Sequence, residues 1–325
     1  MKIQYASDLH LEFKENSNYL KQHPLTVSEE ILVLAGDIGY IGDDNYSKHP
    51  FWDWASENYK QVIVVPGNHE FYKMFDINKL HNGWSLQIRE NIACYYNVVI
   101  PLNNETDLIA TTLWSHIQLQ DAFQTESAIS DFHRIRSGSE PLDWVRFNEE
   151  HYRCFRFLEQ SVSQSKAKHI IVATHHVPSF ELVAPEFKGS PLNGAFTVEL
   201  GNYIAASPIE YWIYGHSHRN IDKIIGNTRC VRIFLDHSAK LVTPYAGHHD
   251  VGEDDVRIFI GETGDSFVSV GNINHPIEVF KGLAEVVTES FVVFYNEQCI
   301  PVVRIFHFVR FGAVIIRCAG KVFEG

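Results

Sequence analysis

Five short segments between Asp8 and His218 carry side chains suited to metal chemistry. They are Asp8-Leu9-His10, Gly36-Asp37, Gly67-Asn68-His69-Glu70, His175-His176 and Gly215-His216-Ser217-His218. Imidazole and carboxylate donors together suit borderline divalent ions such as Mn, Fe, Zn, Co or Ni, whereas an all-oxygen cage suits Mg or Ca. Pooled, the segments offer ligands enough for two ions. Asp8 and His10 stand two residues apart, so on a strand they share a face, and a turn there would also let both point into one site. A single Asp-x-His in a chain with 18 histidines is mostly chance, and Asn-His is as often a turn. The weight lies in the set.

Each segment follows an apolar, β-rich run, which implies that strands deliver them. Residues 2–7, 30–35, 61–65, 168–174 and 209–214 read as strands, and Pro66-Gly67 stops the third just before Asn68. Residues 51–59 read as a crossover helix. Residues 142–165 read as a longer helix in which Trp144, Phe147, Tyr152, Phe155, Leu158 and Val162 recur at three- to four-residue steps. This alternation is the signature of βαβ units, whose strand ends bring distant residues to one crevice. Because it directly follows its strand, His175 is the expected ligand of the His175-His176 pair, with His176 beside it. Residues 98–100 and 108–113 look like further strands, the second ending at Trp114. Residues 178–201 and 123–136 read as loops, and substrate choice is expected to reside in them.

The five segments, in their order and spacing, resemble the calcineurin-like metallophosphoesterase family, in particular its small bacterial-type stand-alone members, over residues 1–232. The resemblance implies an α/β fold: a four-layer α/β/β/α sandwich. It implies that Asp8, His10 and His218 hold a first metal, that Asn68, His175 and His216 hold a second, and that Asp37 bridges them. It also implies that a metal-bridging hydroxide attacks phosphorus in a monoester or diester, nucleotides included. His69 would act as general acid or stabilise the transition state, within the pKa range suited to that task. Glu70 would orient His69 or a ligand histidine. Two divalent ions outweigh Asp8, Asp37 and a hydroxide by about one positive charge, which would draw a phosphate ester. One departure stands out. Many members carry a second acidic residue soon after Gly-Asp, whereas here Ile38-Gly39-Tyr40 follows.

The bulk properties narrow the partners. The chain has 325 residues, 45% hydrophobic and 21% charged, with a net charge of −13. That balance disfavours a broad nucleic-acid-binding face and favours a small phosphorylated substrate, with a nuclease as the alternative. A non-catalytic scaffold on the same fold is a second alternative, but such relatives usually lose ligands and here all seven stand. Five scattered cysteines without a C-x-x-C pair read as reduced thiols. The apolar stretch 300–319 is broken by Arg304, His307, Arg310 and Arg317, so no membrane span is expected and the expected location is cytoplasmic. Residues 233–325 match no pattern; their Val, Ile and Phe content with glycine breaks reads as short strands, an unassigned and β-rich C-terminal extension. Gly247-His248-His249-Asp250 within it reads as a solvated turn.

Overall fold

Strand β2 (Ile31–Ala35) is buried along its length, yet its side chains serve two cores. Ile31, Val33 and Ala35 join one cluster, while Leu32 and Leu34 join another on the opposite face. Strand β3 (Gln61–Val65) divides the same way, with Ile63 and Val65 on one side and Val62 and Val64 on the other. A pleated strand alternates its side chains, so a continuous apolar run fits a sheet covered on both faces.

The computed structural model of the chain describes residues 2–217 and 221–232 and, later, the backbone of four strands. The first sheet has the order β1-β2-β3-β6-β5, where β1 is Gln4–Ala6, β5 Trp84–Arg89 and β6 Ile92–Tyr96. Its first four members run parallel and β5 returns antiparallel. The second sheet has the order β13-β14-β12-β11-β8-β7: Lys223–Ile225, Thr228–Val231, Tyr211–Ile213, His169–Ala173, Thr106–Ala110 and Val98–Asn103. A small third sheet joins β4 (Phe75–Asp76), β9 (Ile135–Ser137) and β10 (Glu140–Pro141).

The two large sheets face each other. Ile31, Val33, Ile63 and Val65 from the first pack with Ile100, Leu108, Ala110, Ala173, Ile213 and Val231 from the second. Outside the first sheet lie helices α1 (Lys14–Gln22) and α2 (Pro50–Asn58), through Leu20, Phe51, Trp52 and Ala55. Outside the second lie α5 (Trp144–Gln164) and α6 (Gly201–Ala206), through Leu158, Val162 and Ile204. This is the expected four-layer order. Asp143 caps α5 by accepting from the Arg146 N–H at 2.7 Å, and the helix buries Phe147, Cys154, Leu158 and Val162. Tyr152, counted in the apolar set, is instead half exposed, at 50%.

Two segments read as loops are more ordered than expected. Residues 123–136 contain α3 (Ala122–Ala128), α4 (Asp131–Arg134) and the start of β9. Residues 178–201 hold three short 3₁₀ turns. Both help enclose a further core around Phe71, Trp114, Phe132, Phe147 and Leu192. The strand expected over residues 108–113 ends at Ala110, after which Leu113 and Trp114 take positive φ and turn the chain.

Residues divide into two units, Met1–His248 and His249–Gly325. In the second, β15 (Arg257–Gly261) pairs antiparallel with β16 (Phe291–Tyr295), and β17 (Ile315–Cys318) with β18 (Lys321–Glu324). The Gly247-to-Asp250 segment lies outside the described residues. No helix among the described residues is long and apolar enough to cross a membrane.

Candidate metal centre

The strands end in step. Ala35 of β2 pairs with Val65 of β3, and Ala173 of β11 pairs with both Ala110 and Ile213. The loops that follow therefore start at one level and interlock. Asp8 N–H donates to Gly36 O at 2.9 Å, His10 N–H to Asp37 O at 2.9 Å and Gly215 N–H to His175 O at 3.0 Å. Four of the predicted site residues take left-handed backbone: Asp8 (φ 57°), His10 (46°), Asp37 (57°) and His216 (67°). Such conformations cost about 1–3 kcal/mol each and persist where surrounding structure fixes them, often at sites of function.

Glu70 is the clamp. Fully buried, it accepts N–H bonds from Gly67 (2.6 Å) and Asp37 (2.8 Å) on one oxygen, and from Ile38 (2.7 Å) and Gly39 (3.2 Å) on the other. It thus ties the β2 and β3 loops together through their backbones. The expectation that it orients a histidine is corrected: its hydrogen bonds go to four main-chain groups. Burial first, then the charge of Asp37, lifts its pKa to about 7.

The donors expected for a second metal converge. His175 spends its Nδ1–H on Ala35 O at 2.9 Å, which leaves Nε2 facing Asn68 Oδ1 (3.1 Å), His216 Nδ1 (3.0 Å) and Asp37 Oδ1 (3.3 Å). Four atoms that all carry lone pairs meet at about hydrogen-bond distance, with few protons to share among them. A divalent ion satisfies such a set, and Asp37, His175 and His216 have donor atoms within 4.8 Å of one another. Burial opposes charge on the His175 ring, but Asp37 and Asp8 outweigh it and raise its pKa to about 9.

A second group of donor atoms within 4.8 Å joins Asp37, His10 and His69. His10 Nε2 lies 3.9 Å and His69 Nε2 4.0 Å from Asp37 Oδ2. His69 also fixes Asp37 through its backbone, donating N–H to Oδ1 at 2.9 Å, and its ring stacks on Tyr72 at 4.4 Å. Burial opposes charge on the His69 ring, while Asp37 and Glu12 raise its pKa to about 9. Asp8 belongs to neither group. Its Oδ1 accepts the His216 N–H at 3.0 Å, and its Oδ2 forms a fully buried ion pair with Arg232 at 2.8 Å. His218 lies outside the described residues.

Residues 1–220 match the family model described as calcineurin-like phosphoesterase. The chain belongs to the calcineurin-like phosphoesterase family. It is a phosphoester hydrolase of a metal-dependent family, and its His/Asp groups suit that chemistry. The uncharacterized protein L509 of Acanthamoeba polyphaga mimivirus is 28% identical over 272 residues, covering 75% of this chain and 95% of that protein. The crystal structure of phosphopantetheinyl hydrolase from Mycobacterium tuberculosis superposes with a TM-score of 0.52 at 15% identity, covering 72% of this phosphoesterase and 88% of that one. The second likeness bears on fold alone.

Further polar groups stand around this phosphoesterase centre. Asp131, from α4, accepts from Asn68 Nδ2 at 2.8 Å and from Tyr72 Oη at 2.8 Å. That contact settles which end of the Asn68 amide faces His175. Glu12 Oε1 lies 3.1 Å from His10 Nδ1 and 2.8 Å from His69 Nδ1. Burial works against its charge, but the two imidazoles hold its pKa down at about 2. His176 packs its ring 4.6 Å from that of His216, 5.3 Å from Trp114 and 6.0 Å from Phe147, and burial keeps its pKa well below the ordinary histidine value. Of the pair, His175 is the one whose ring nitrogen groups with Asp37 and His216 among the described residues.

Proposed function

We propose that this phosphoesterase holds two divalent ions bridged by Asp37 and hydrolyses small phosphate monoesters or diesters. One observation carries the reading. The two oxygens of Asp37 face separate donor groups, Oδ1 toward His175 at 3.3 Å and Oδ2 toward His10 and His69 at 3.9 and 4.0 Å. Asn68, His175 and His216 would hold one ion; Asp8, His10 and His218 would hold the other. Divalent ions there supply an activated water near neutral pH and neutralise charge on the phosphoryl oxygens.

The chain's own residues do the rest. Asp37 is fixed by the His69 N–H, and its loop by Glu70, so the donors are positioned before substrate arrives. His69 presents Nε2 to the same space as Asp37 Oδ2 while Nδ1 is held by Glu12. From there it would donate a proton to the leaving oxygen. A net charge of −13 makes a small anionic ester a better partner than a long polyanion, because only the metal-bearing cleft would be cationic.

The test is hydrolysis of 4-nitrophenyl phosphate, its bis-ester and single-stranded DNA by purified protein with Mn, Fe, Zn, Co or Ni, alongside metal analysis. Two equivalents of metal and turnover of a small ester are expected. His69→Ala should keep the metals and lose about 10²–10⁴-fold in kcat. Turnover of DNA but neither small ester would favour the nuclease. Bound metal without turnover of any substrate, unchanged in the variant, would favour the scaffold.

A further inference from the structure

One buried carboxylate touches both of the histidines assigned different tasks, and nothing in the motifs assigns it a role. Glu12 follows His10 by two residues and lies 57 residues before His69. Its Oε1 takes a contact from each: His10 Nδ1 at 3.1 Å and His69 Nδ1 at 2.8 Å. The two rings are 4.5 Å apart and meet nearly edge to face, at 69°. The carboxylate is 6% exposed.

A histidine that gives its Nδ1–H to a carboxylate has its tautomer and ring orientation fixed, and its Nε2 points the opposite way. Here both Nε2 atoms point toward Asp37 Oδ2, at 3.9 and 4.0 Å. Turning either ring over would break its bond to Glu12. A single oxygen thus sets the aim of two imidazoles.

The other oxygen, Oε2, has no hydrogen-bond partner among the described residues. Glu12 lines a cavity of about 190 Å³ together with Gly39, Tyr40, Asn45, Tyr46 and His49. None of the metal donors lines that cavity, so the carboxylate separates it from the centre. Its walls mix apolar Leu11, Ile38 and Trp52 with polar Asp43, Asn45 and His49, and its volume has room for ordered water that would complete the hydration of Oε2.

We propose that Glu12 is a positioning residue for the hydrolysis: through Oε1 it holds His10 with Nε2 toward the first metal and His69 with Nε2 toward the leaving group. This inference rests on the metal-dependent reading above. It predicts that one change should affect both metal retention and turnover, with substrate affinity little altered.

Three variants test it, Glu12→Ala, Glu12→Gln and Glu12→Asp, assayed on 4-nitrophenyl phosphate with manganese at increasing concentration. Glu12→Ala should lose about 10–100-fold in kcat, the range for removing a partner of a metal-bound histidine, with KM moved less than about threefold. Titrated calorimetrically with manganese in the absence of substrate, it should also bind the ion about 10–100-fold more weakly than wild type. Glu12→Gln keeps an acceptor oxygen in place and should recover most of the lost kcat. Glu12→Asp is one methylene shorter, cannot reach both rings, and should behave like Glu12→Ala. A folded Glu12→Ala protein with wild-type kcat and manganese dependence would overturn the proposal. So would a Glu12→Gln protein no better than Glu12→Asp, a comparison that stands even where the alanine variant fails to fold. Wild-type protein inert on every ester with every metal would instead overturn the reading of the centre itself.

Discussion

At the scale of single residues, the contacts that matter most are those that decide which atom of a ligand faces the metal. Asn68 is the clear case, because its two amide ends differ in chemistry while its shape hardly changes on turning over. Asp131 takes the Nδ2 end at 2.8 Å, so Oδ1 points to His175 Nε2 at 3.1 Å. Replacing Asp131 by Ala removes that preference and frees the Tyr72 hydroxyl as well. Manganese affinity at the Asn68 side should fall about 10–100-fold, the usual effect of losing a ligand's orienting partner. Asp131→Asn retains an acceptor and should lose much less. Calorimetric titration of both variants with manganese checks this; equal affinity in the two would mean that the Asn68 amide is held by something else. Tyr72 serves two neighbours at once, stacked on His69 and bonded to Asp131, so His69 and the Asn68 side of the centre share a wall.

At the scale of elements, the centre depends on loops that approach closer than side chains normally allow. A Cβ on Gly67 would lie 2.2 Å from Asp37 Oδ1 and 2.7 Å from the Asp37 backbone nitrogen. Gly36, at φ +87°, would press its Cβ to 2.2 Å from His175 Nδ1. Neither neighbour is the flexible tip of a long side chain, so the loops themselves must move. Gly67→Ala should therefore cost about 1–3 kcal/mol, the usual cost of overpacking, and abolish tight manganese binding. Chemical denaturation in chelator measures the first effect and metal titration the second; a variant that binds manganese like wild type would refute this account of the turn. These elements were the legible part of the sequence. Strands β2, β3 and β11 are apolar runs stopped by Gly36, Pro66 and His175, and they fall within a residue or two of expectation. Residues 123–136 were not legible as helices, because α3 has seven residues and α4 four, too few to establish a 3.6-residue period. The bond between Asn68 and Asp131 was not legible for a related reason: the two are 63 residues apart, and only the fold places them together. Glu12 sits in the open as Asp8-x-His10-x-Glu12, yet spacing alone does not reveal that it also reaches His69.

At the scale of the whole molecule, the centre sits on a core that does not need it. The apolar layer between the sheets is built from Val33, Ile63, Leu108, Ile213 and their neighbours, none of them a metal donor, and the flanking helices have cores of their own. Metal should therefore add stability to a protein that is already folded, unlike small zinc domains whose cores form only with the ion. Binding to the native state alone contributes about 2.7 kcal/mol when free metal stands at 100 times its Kd. For a unit of this size each kcal/mol shifts Tm by roughly 2–4 °C, so chelation should lower Tm by about 5–10 °C. Far-ultraviolet circular dichroism should stay unchanged on chelation and Tm should recover when manganese is restored. The sign follows from the donors: Asp37, His175, Asn68 and His216 are packed with their lone pairs toward one another, an arrangement that a cation relieves and that its removal leaves to protons. Loss of secondary structure in chelator would mean that these four loops hold the sheets together, and that the apolar layer between them is insufficient by itself.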